Sequence, residues 1–291
     1  MVNEKTLILR NSVNDYFFSL IAQDNNVHSI YENRVDYYTF NIFTKMNISY
    51  PLLLLGWKRT IKKYDKVIIF DYGWTKDITK YIKRHNANCK IHLFFFNTIS
   101  NKNHYSMLED RNIDEFWTFD PKDAERYHIN FNSPMYTRKV ITSLNQKKGE
   151  SNDVVFVGSA KNREPIINYV YEECRKRYLK LDFNVIKNPN DYISYSDYLR
   201  KIADSKCILD ITNEGQTGLT LRFMESLFLS KKIITNNPEV KKYSFYNPHN
   251  IFVLGEDNIN CINDFVSSPY FAVDPKEIDY YEIDNWIDRF K

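Results

Sequence analysis

The stretch from Asp210 to Asn237 (Asp-Ile-Thr-Asn-Glu-Gly-Gln-Thr-Gly-Leu-Thr-Leu-Arg-Phe-Met-Glu-Ser-Leu-Phe-Leu-Ser-Lys-Lys-Ile-Ile-Thr-Asn-Asn) holds the densest set of residues able to do chemistry. It reads as strand, polar turn, helix, strand, with the helix starting near Gly218 or Leu219. The first turn of such a helix offers unpaired N–H groups and the positive end of the dipole, and together these attract an anion. Gly218 puts no side chain between a phosphate and the backbone, and Thr217 and Thr220 add hydroxyl donors. Arg222, three or four residues into the helix, brings a guanidinium to the same anion. Glu225 follows one turn deeper on the same face, where a carboxylate can accept hydrogen bonds from ribose hydroxyls. Alone, Arg222 and Glu225 read more simply as an exposed helix pair. Their place at a strand-to-helix mouth favours the anion.

A second glycine turn, Val157-Gly158-Ser159, follows an apolar strand of the same half and precedes its first helix. It is half of a phosphate-loop pattern. The chain has only seven glycines and no G-x-G-x-x-G, which argues against a dinucleotide-dependent dehydrogenase. In the first half, Asp71 ends an apolar strand beside Gly73 and Trp74 and is the leading general-base candidate, although aspartates commonly serve turns and caps. Asp120, before Pro121, reads as a helix N-cap. His104 falls in a polar loop and is the more remote candidate.

The elements that must position these residues alternate along the chain. Strand-like runs cover 6–10, 66–71, 90–97 and 115–120, with helices at 50–63 and 76–85 between them. Residues 27–46 are expected to hold a further strand. The polar stretch from Ser143 to Asn152 has no apolar period and reads as a linker. The rhythm then restarts: strands at 153–157, 181–186, 207–212, 232–236 and 250–254, and helices at 194–205, 219–230 and 261–267. Asn162 is expected to cap a long helix ending near Tyr178. This predicts an α/β chain of two Rossmann-like domains facing each other across a cleft, with parallel sheets flanked by helices. The expected limits are 1–145 for the first domain, 146–280 for the second, and 281–291 for a C-terminal helix packing back on the first domain.

Composition narrows the function classes. The chain has 291 residues, 43% of them hydrophobic and 26% charged, enough to bury two cores. A net charge of +3 without a basic block or an RNA-binding signature argues against nucleic acid as a partner. The skew toward Asn, Lys, Ile, Tyr and Phe fits an AT-rich bacterial genome. Four scattered cysteines and six scattered histidines form no metal motif, so no metal is expected, and the cysteines read as reduced thiols of a cytosolic protein. No signal peptide and no membrane-spanning run is read from the sequence. The apolar run Pro51–Trp57, followed by Lys58, Arg59, Lys62 and Lys63, would suit a membrane surface, but a core-facing helix is the preferred reading.

Gly218–Leu227, Lys231–Asn237 and Tyr243–Ile251 resemble the C-terminal domain of bacterial GT-B glycosyltransferases of capsule, lipopolysaccharide and exopolysaccharide biosynthesis. The similarity is specific over Asp153–Glu256 and only architectural before that. It implies that a nucleotide diphosphate sits against Gly218, Leu219 and Thr220, that Arg222 neutralises it, and that Glu225 holds the ribose. It further implies a metal-independent transfer from a UDP- or GDP-sugar, with no bound cofactor, to a glycan or lipid-linked acceptor. Such an enzyme works in the cytoplasm or peripherally at the inner membrane face. One departure stands out: a retaining subgroup has Glu eight positions before the second Glu, and here Thr217 occupies that place. The stereochemical outcome, the sugar and the oligomeric state therefore stay open. Two other readings compete: a nucleotide-sugar epimerase of the same fold and a non-catalytic, nucleotide-binding partner subunit.

Overall fold

The computed structural model describes residues 5–10, 18–21, 26–31, 38–39, 42–43, 46, 56–72, 74–144 and 149–291. The chain divides into two compact units, Met1–Ser133 with Ile287–Lys291, and Pro134–Trp286.

The first unit is built on β1 (Thr6–Arg10), β2 (Val27–Ser29), β3 (Lys66–Phe70), β4 (Lys90–Phe95), β5 (Glu115–Thr118) and β6 (Asn130–Phe131). They form one sheet in the order β2-β1-β3-β4-β5-β6, every pair parallel. Strands such as Leu7-Ile8-Leu9 and Val67-Ile68-Ile69 are apolar on both faces because both faces are covered, and they are fully buried. Parallel neighbours need crossovers, supplied here by the helices Lys76–His85, Lys102–Leu108 and Pro121–Tyr127. The first of these buries Ile78 and Ile82, one turn apart, and carries Asp77 in its first turn and Lys83, Arg84 and His85 in its last. Those charges complement the helix dipole at both ends. Asp120 caps the third helix, accepting from the N–H groups of Lys122 and Asp123.

The second unit repeats the plan with β7 (Asn152–Ser159), β8 (Leu181–Ile186), β9 (Ser205–Asp210), β10 (Lys232–Thr235) and β11 (Ile251–Val253), all parallel, in the order β11-β10-β9-β7-β8. Its crossovers are the helices Glu164–Lys176, Tyr195–Ala203 and Leu221–Leu229, and Ile262–Ser267 follows β11. The α/β class with two parallel, helix-flanked sheets is thus as expected. In each sheet the first strand lies between the second and third. The chain therefore winds outward in two directions from one point, between β1 and β3 in one unit and between β7 and β9 in the other. Loops diverge there at the carboxyl ends, leaving a crevice where such sheets bind ligands.

Several local expectations change. The unit division falls after Ser133, upstream of the polar stretch at 143–152, because Pro134–Ser143 joins the second unit: the Tyr136 N–H donates to the Tyr281 carbonyl, and Arg138 pairs with Asp279 and Glu282. Within the polar stretch, residues 145–148 lie outside the described residues. Asn162 caps nothing; it sits in a 3-10 turn, and the helix begins at Glu164 with Pro165 in its first turn. His104 is buried in the Lys102–Leu108 helix rather than placed in a loop. Of the expected 50–63 helix, residues 50–55 fall outside the described residues. Trp57–Thr60 is helical, and buried Trp57 donates to the Ile30 carbonyl at 3.3 Å, which is the core-facing arrangement. No helix among the described residues is long and apolar enough to cross a membrane. The last residues group with the first unit: the Lys66 amine donates to the Phe290 carbonyl at 2.5 Å, the Arg289 Nε to Asn132 at 2.6 Å, and the Phe290 ring packs 4.7 Å from Trp117.

Candidate functional site

The mouth of the Leu221–Leu229 helix is set by Thr220. Its backbone is extended (φ −86°, ψ 169°), and its Oγ1 accepts from the Arg222 N–H at 3.1 Å. The same hydroxyl donates to Asp210 Oδ1 at 2.9 Å. Thr220 is the N-cap, so the helix starts later than expected and Arg222 is its second residue. The Thr220 hydroxyl already spends its proton on Asp210 and serves the frame rather than an anion. Leu219 is fully buried core. Buried Thr217 offers its carbonyl to the Asn237 amide at 3.0 Å, and the Gly218 carbonyl accepts from the Gln216 amide at 3.4 Å. Gly215 turns the loop at φ +81°, a left-handed conformation that glycine tolerates.

Arg222 reaches back across the switch point. Its Nη2 donates to the Val157 carbonyl at 2.7 Å, its Nη1 lies 3.4 Å from Asp210 Oδ1, and its guanidinium stands 5.5 Å from the Phe156 ring centre. Gly158 makes room for this: a Cβ there would lie 2.5 Å from Arg222 Nη2. The two glycine-and-arginine features singled out in the sequence therefore meet in one place. A second guanidinium stands nearby. Arg163 donates to the Ile211 carbonyl at 2.6 Å and to the Ser159 carbonyl. Burial, then repulsion from Arg222, lowers the pKa of Arg163. The Nε atoms of both arginines are buried without a hydrogen-bond partner.

Asp210 is the carboxylate between them. Burial raises its pKa, and Arg222, Thr220 and Arg163 oppose that rise. Two guanidiniums thus face one carboxylate at the carboxyl ends of β7 and β9. Glu225 adds a second carboxylate acting on Arg222, and arginine forks match a phosphate's geometry.

Glu225 sits differently from the ribose ligand that the family resemblance implies. It is 2% exposed. Its Oε1 accepts from the Tyr195 hydroxyl at 3.2 Å and its Oε2 from the Tyr198 hydroxyl. Burial pushes its pKa up to about 7 against the pull of Tyr198, Arg222 and Tyr195. The carboxylate is closed over by the Tyr195–Ala203 helix.

Asp71 lies at the switch point of the first unit, just beyond β3, with its side chain 1% exposed. Its Oδ1 accepts from the Tyr72 N–H at 2.9 Å and its Oδ2 from the Asn97 amide at 3.0 Å. His104 Nε2 stands 3.8 Å from Oδ2, while His104 Nδ1 accepts from the Ser100 N–H at 3.3 Å, which leaves the ring proton on Nε2 facing Asp71. Burial raises the Asp71 pKa, opposed first by Asn97. A general base must present a lone pair to the acceptor hydroxyl. In this geometry Asp71 ties the turn after β3 to the loop after β4. Gly73, its neighbour in that reading, lies outside the described residues.

Four residues at the second-unit site were not singled out as ligands from sequence: Arg163, Asp210, Tyr195 and Tyr198. Arg163 and Asp210 left local signals, a basic residue shortly after Gly158-Ser159 and an acid at the end of an apolar strand. The tyrosines sit on a separate crossover helix, and nothing in their spacing points at Glu225. Among the described residues no group of three or more His, Cys, Asp or Glu is placed to hold a metal ion.

No protein-family model matches the chain, and no curated protein matches it. Solved structures do resemble it. One is a lipopolysaccharide outer core galactosyltransferase, WaaB, in its apo form: 11% identity, TM-score 0.44, covering 92% of this chain and 83% of that one. Another is Anabaena Alr3699/HepE in complex with UDP: 11% identity, TM-score 0.48, covering 98% of each chain.

Proposed function

We propose that this chain is a GT-B glycosyltransferase that moves a sugar from a UDP- or GDP-sugar to a glycan or lipid-linked acceptor in cell-surface polysaccharide synthesis. The observation that carries the reading is the meeting of Gly158 and Arg222. Gly158, paired within the carboxyl end of β7 rather than placed in a turn after it, leaves room for an arginine from the mouth of a later helix, at the switch point where doubly wound sheets bind ligands.

Sugar transfer breaks the bond between the sugar's anomeric carbon and the terminal phosphate oxygen, and that oxygen keeps the electron pair. Charge therefore grows on the diphosphate as the acceptor oxygen attacks. Arg222 and Arg163 are fixed beforehand by carbonyls of β7, Ser159 among them, and by Ile211. Preorganised cations stabilise developing charge without the reorganisation that water would need. The Gly218–Thr220 backbone and the helix dipole add to the same field. An acceptor carried on a lipid would bring the enzyme to the inner face of the membrane.

Thermal-shift measurements against UDP, GDP, CDP, ADP and TDP test the donor end, because a specific ligand stabilises the fold by mass action. One or two of the five should raise the melting temperature, and Arg222→Ala should abolish that rise. A variant that keeps the full shift would remove Arg222 from the site. Turnover of a UDP- or GDP-sugar by the purified chain tests the chemistry.

A further inference from the structure

Asp210 is the last residue of β9 and is fully buried. Its Oδ1 accepts from the Thr220 hydroxyl at 2.9 Å and lies 3.4 Å from Arg222 Nη1, while its Oδ2 accepts from the Thr235 hydroxyl at 3.4 Å. One carboxylate thus joins β9 to β10 and to the mouth of the Leu221–Leu229 helix. Arg163 and Arg222 repel each other, and both attract Asp210. Arg222 does not depend on Asp210 for its place. Its shorter bond runs to the Val157 carbonyl at 2.7 Å, and its guanidinium stands 5.5 Å from the Phe156 ring centre. What Asp210 adds is charge, and a charge so far from water is weakly screened.

A diphosphate gripped at Arg222 and Arg163 brings its own negative charge to the guanidiniums that Asp210 already attracts. We propose that Asp210 is the counter-charge of this site: it steadies the arginine pair while the crevice is empty, and by repelling the bound diphosphate it keeps the grip weak enough for the spent nucleotide to leave. It is a positioning residue, acting through the two arginines. The inference rests on the nucleotide-sugar reading of this site. Asparagine at this position keeps the shape and removes the charge. Its oxygen can accept from Thr220 and Arg222, and its amide can donate to the Thr235 hydroxyl, which accepts from the Asn237 N–H at 3.1 Å and has a second lone pair.

Calorimetric titration of the full chain and its Asp210→Asn variant with UDP and GDP, beside thermal melts of both, tests it. The variant should bind the accepted nucleotide about tenfold more tightly, a gain of ~1.4 kcal/mol. Empty, it should melt a few degrees lower, because two guanidiniums then face each other without their counter-charge. Added nucleotide should raise its melting temperature more than it raises the parent's. A carboxylate that only braces the fold gives the lower melt with unchanged or weaker binding. That result overturns the inference and leaves the nucleotide reading standing. If neither nucleotide binds the parent chain or the variant, the nucleotide reading falls and this inference falls with it. Should Asp210→Asn fail to fold in buffer, inorganic diphosphate should restore it by supplying the missing charge. A variant that stays unfolded with inorganic diphosphate present also overturns the inference.

Discussion

The two switch points of this chain have the same topology and different sets of charged groups. In the first unit, the crevice beyond β3 holds a carboxylate, Asp71, enclosed by a backbone N–H, an amide and an imidazole. In the second, the crevice beyond β7 and β9 holds two guanidiniums against one carboxylate, with an arginine Nε unmatched on each. The first also holds a cation, Arg10 at the end of β1, buried with its guanidinium 3.8 Å from the Phe18 ring centre, and the second a further carboxylate, Glu225, acting on Arg222. Doubly wound sheets supply the crevice in both cases, but the charge balance of a few side chains decides what it can bind.

The sharpest way to break that comparison is to remove one of those charges. Arg222→Ala should weaken nucleoside diphosphate binding about a hundredfold or more by calorimetry, because a buried charge-assisted contact is lost. An unchanged affinity would take Arg222 out of the second crevice's binding set.

Glu225 gives the next largest effect. Its pKa is raised from 4.5 to about 7 in the folded state, so the folded chain holds a proton that the unfolded chain releases. Stability is therefore fully present below about pH 4.5 and is lost as pH rises through 7. Glu225→Gln keeps an acceptor for the tyrosines and carries no charge. Relative to the parent chain it should be more stable by about 3 kcal/mol at pH 8, with the difference falling below about 1 kcal/mol by pH 5 and vanishing at lower pH in urea unfolding. A difference that does not vary with pH would mean the carboxylate titrates normally.

Gly158→Ala is subtler. The new methyl meets the mobile end of Arg222. We expect the guanidinium to shift, with nucleotide affinity falling about tenfold and the melting temperature nearly unchanged. A large loss of stability with intact affinity would make Gly158 a packing residue only. Asp71→Ala should have the smallest effect, costing about 1 kcal/mol of first-unit stability as the Tyr72 and Asn97 donors lose their acceptor. Loss of turnover in a variant of parental stability would return Asp71 to the role of base.

Much of the fold is legible in the residues themselves. Lys76–His85 and Leu181–Ile186 are read to the residue, because period and apolar runs are local signals. Errors gather at element ends, where capping decides. The helices starting at Leu221 and Glu164 begin two or three residues and one residue past the expected places, since an N-cap hydroxyl or a first-turn proline fixes the boundary. The site was legible at Gly158 and Arg222. It was illegible at Tyr195 and Tyr198, whose partner lies about thirty positions away on another helix.

What the sequence by itself determined is the alternation of buried strands and helices, and an arginine at a helix mouth with glycine turns near it. Side-chain type and local spacing suffice for those. Only the tertiary structure decided that Arg222 lies against Gly158, that Arg163 and Asp210 stand beside it, and that Glu225 is buried under two tyrosines. Such facts depend on which strand ends meet at the switch point and on which donors reach a buried acceptor first. Strand pairing sets them across tens of residues, and no local period records it.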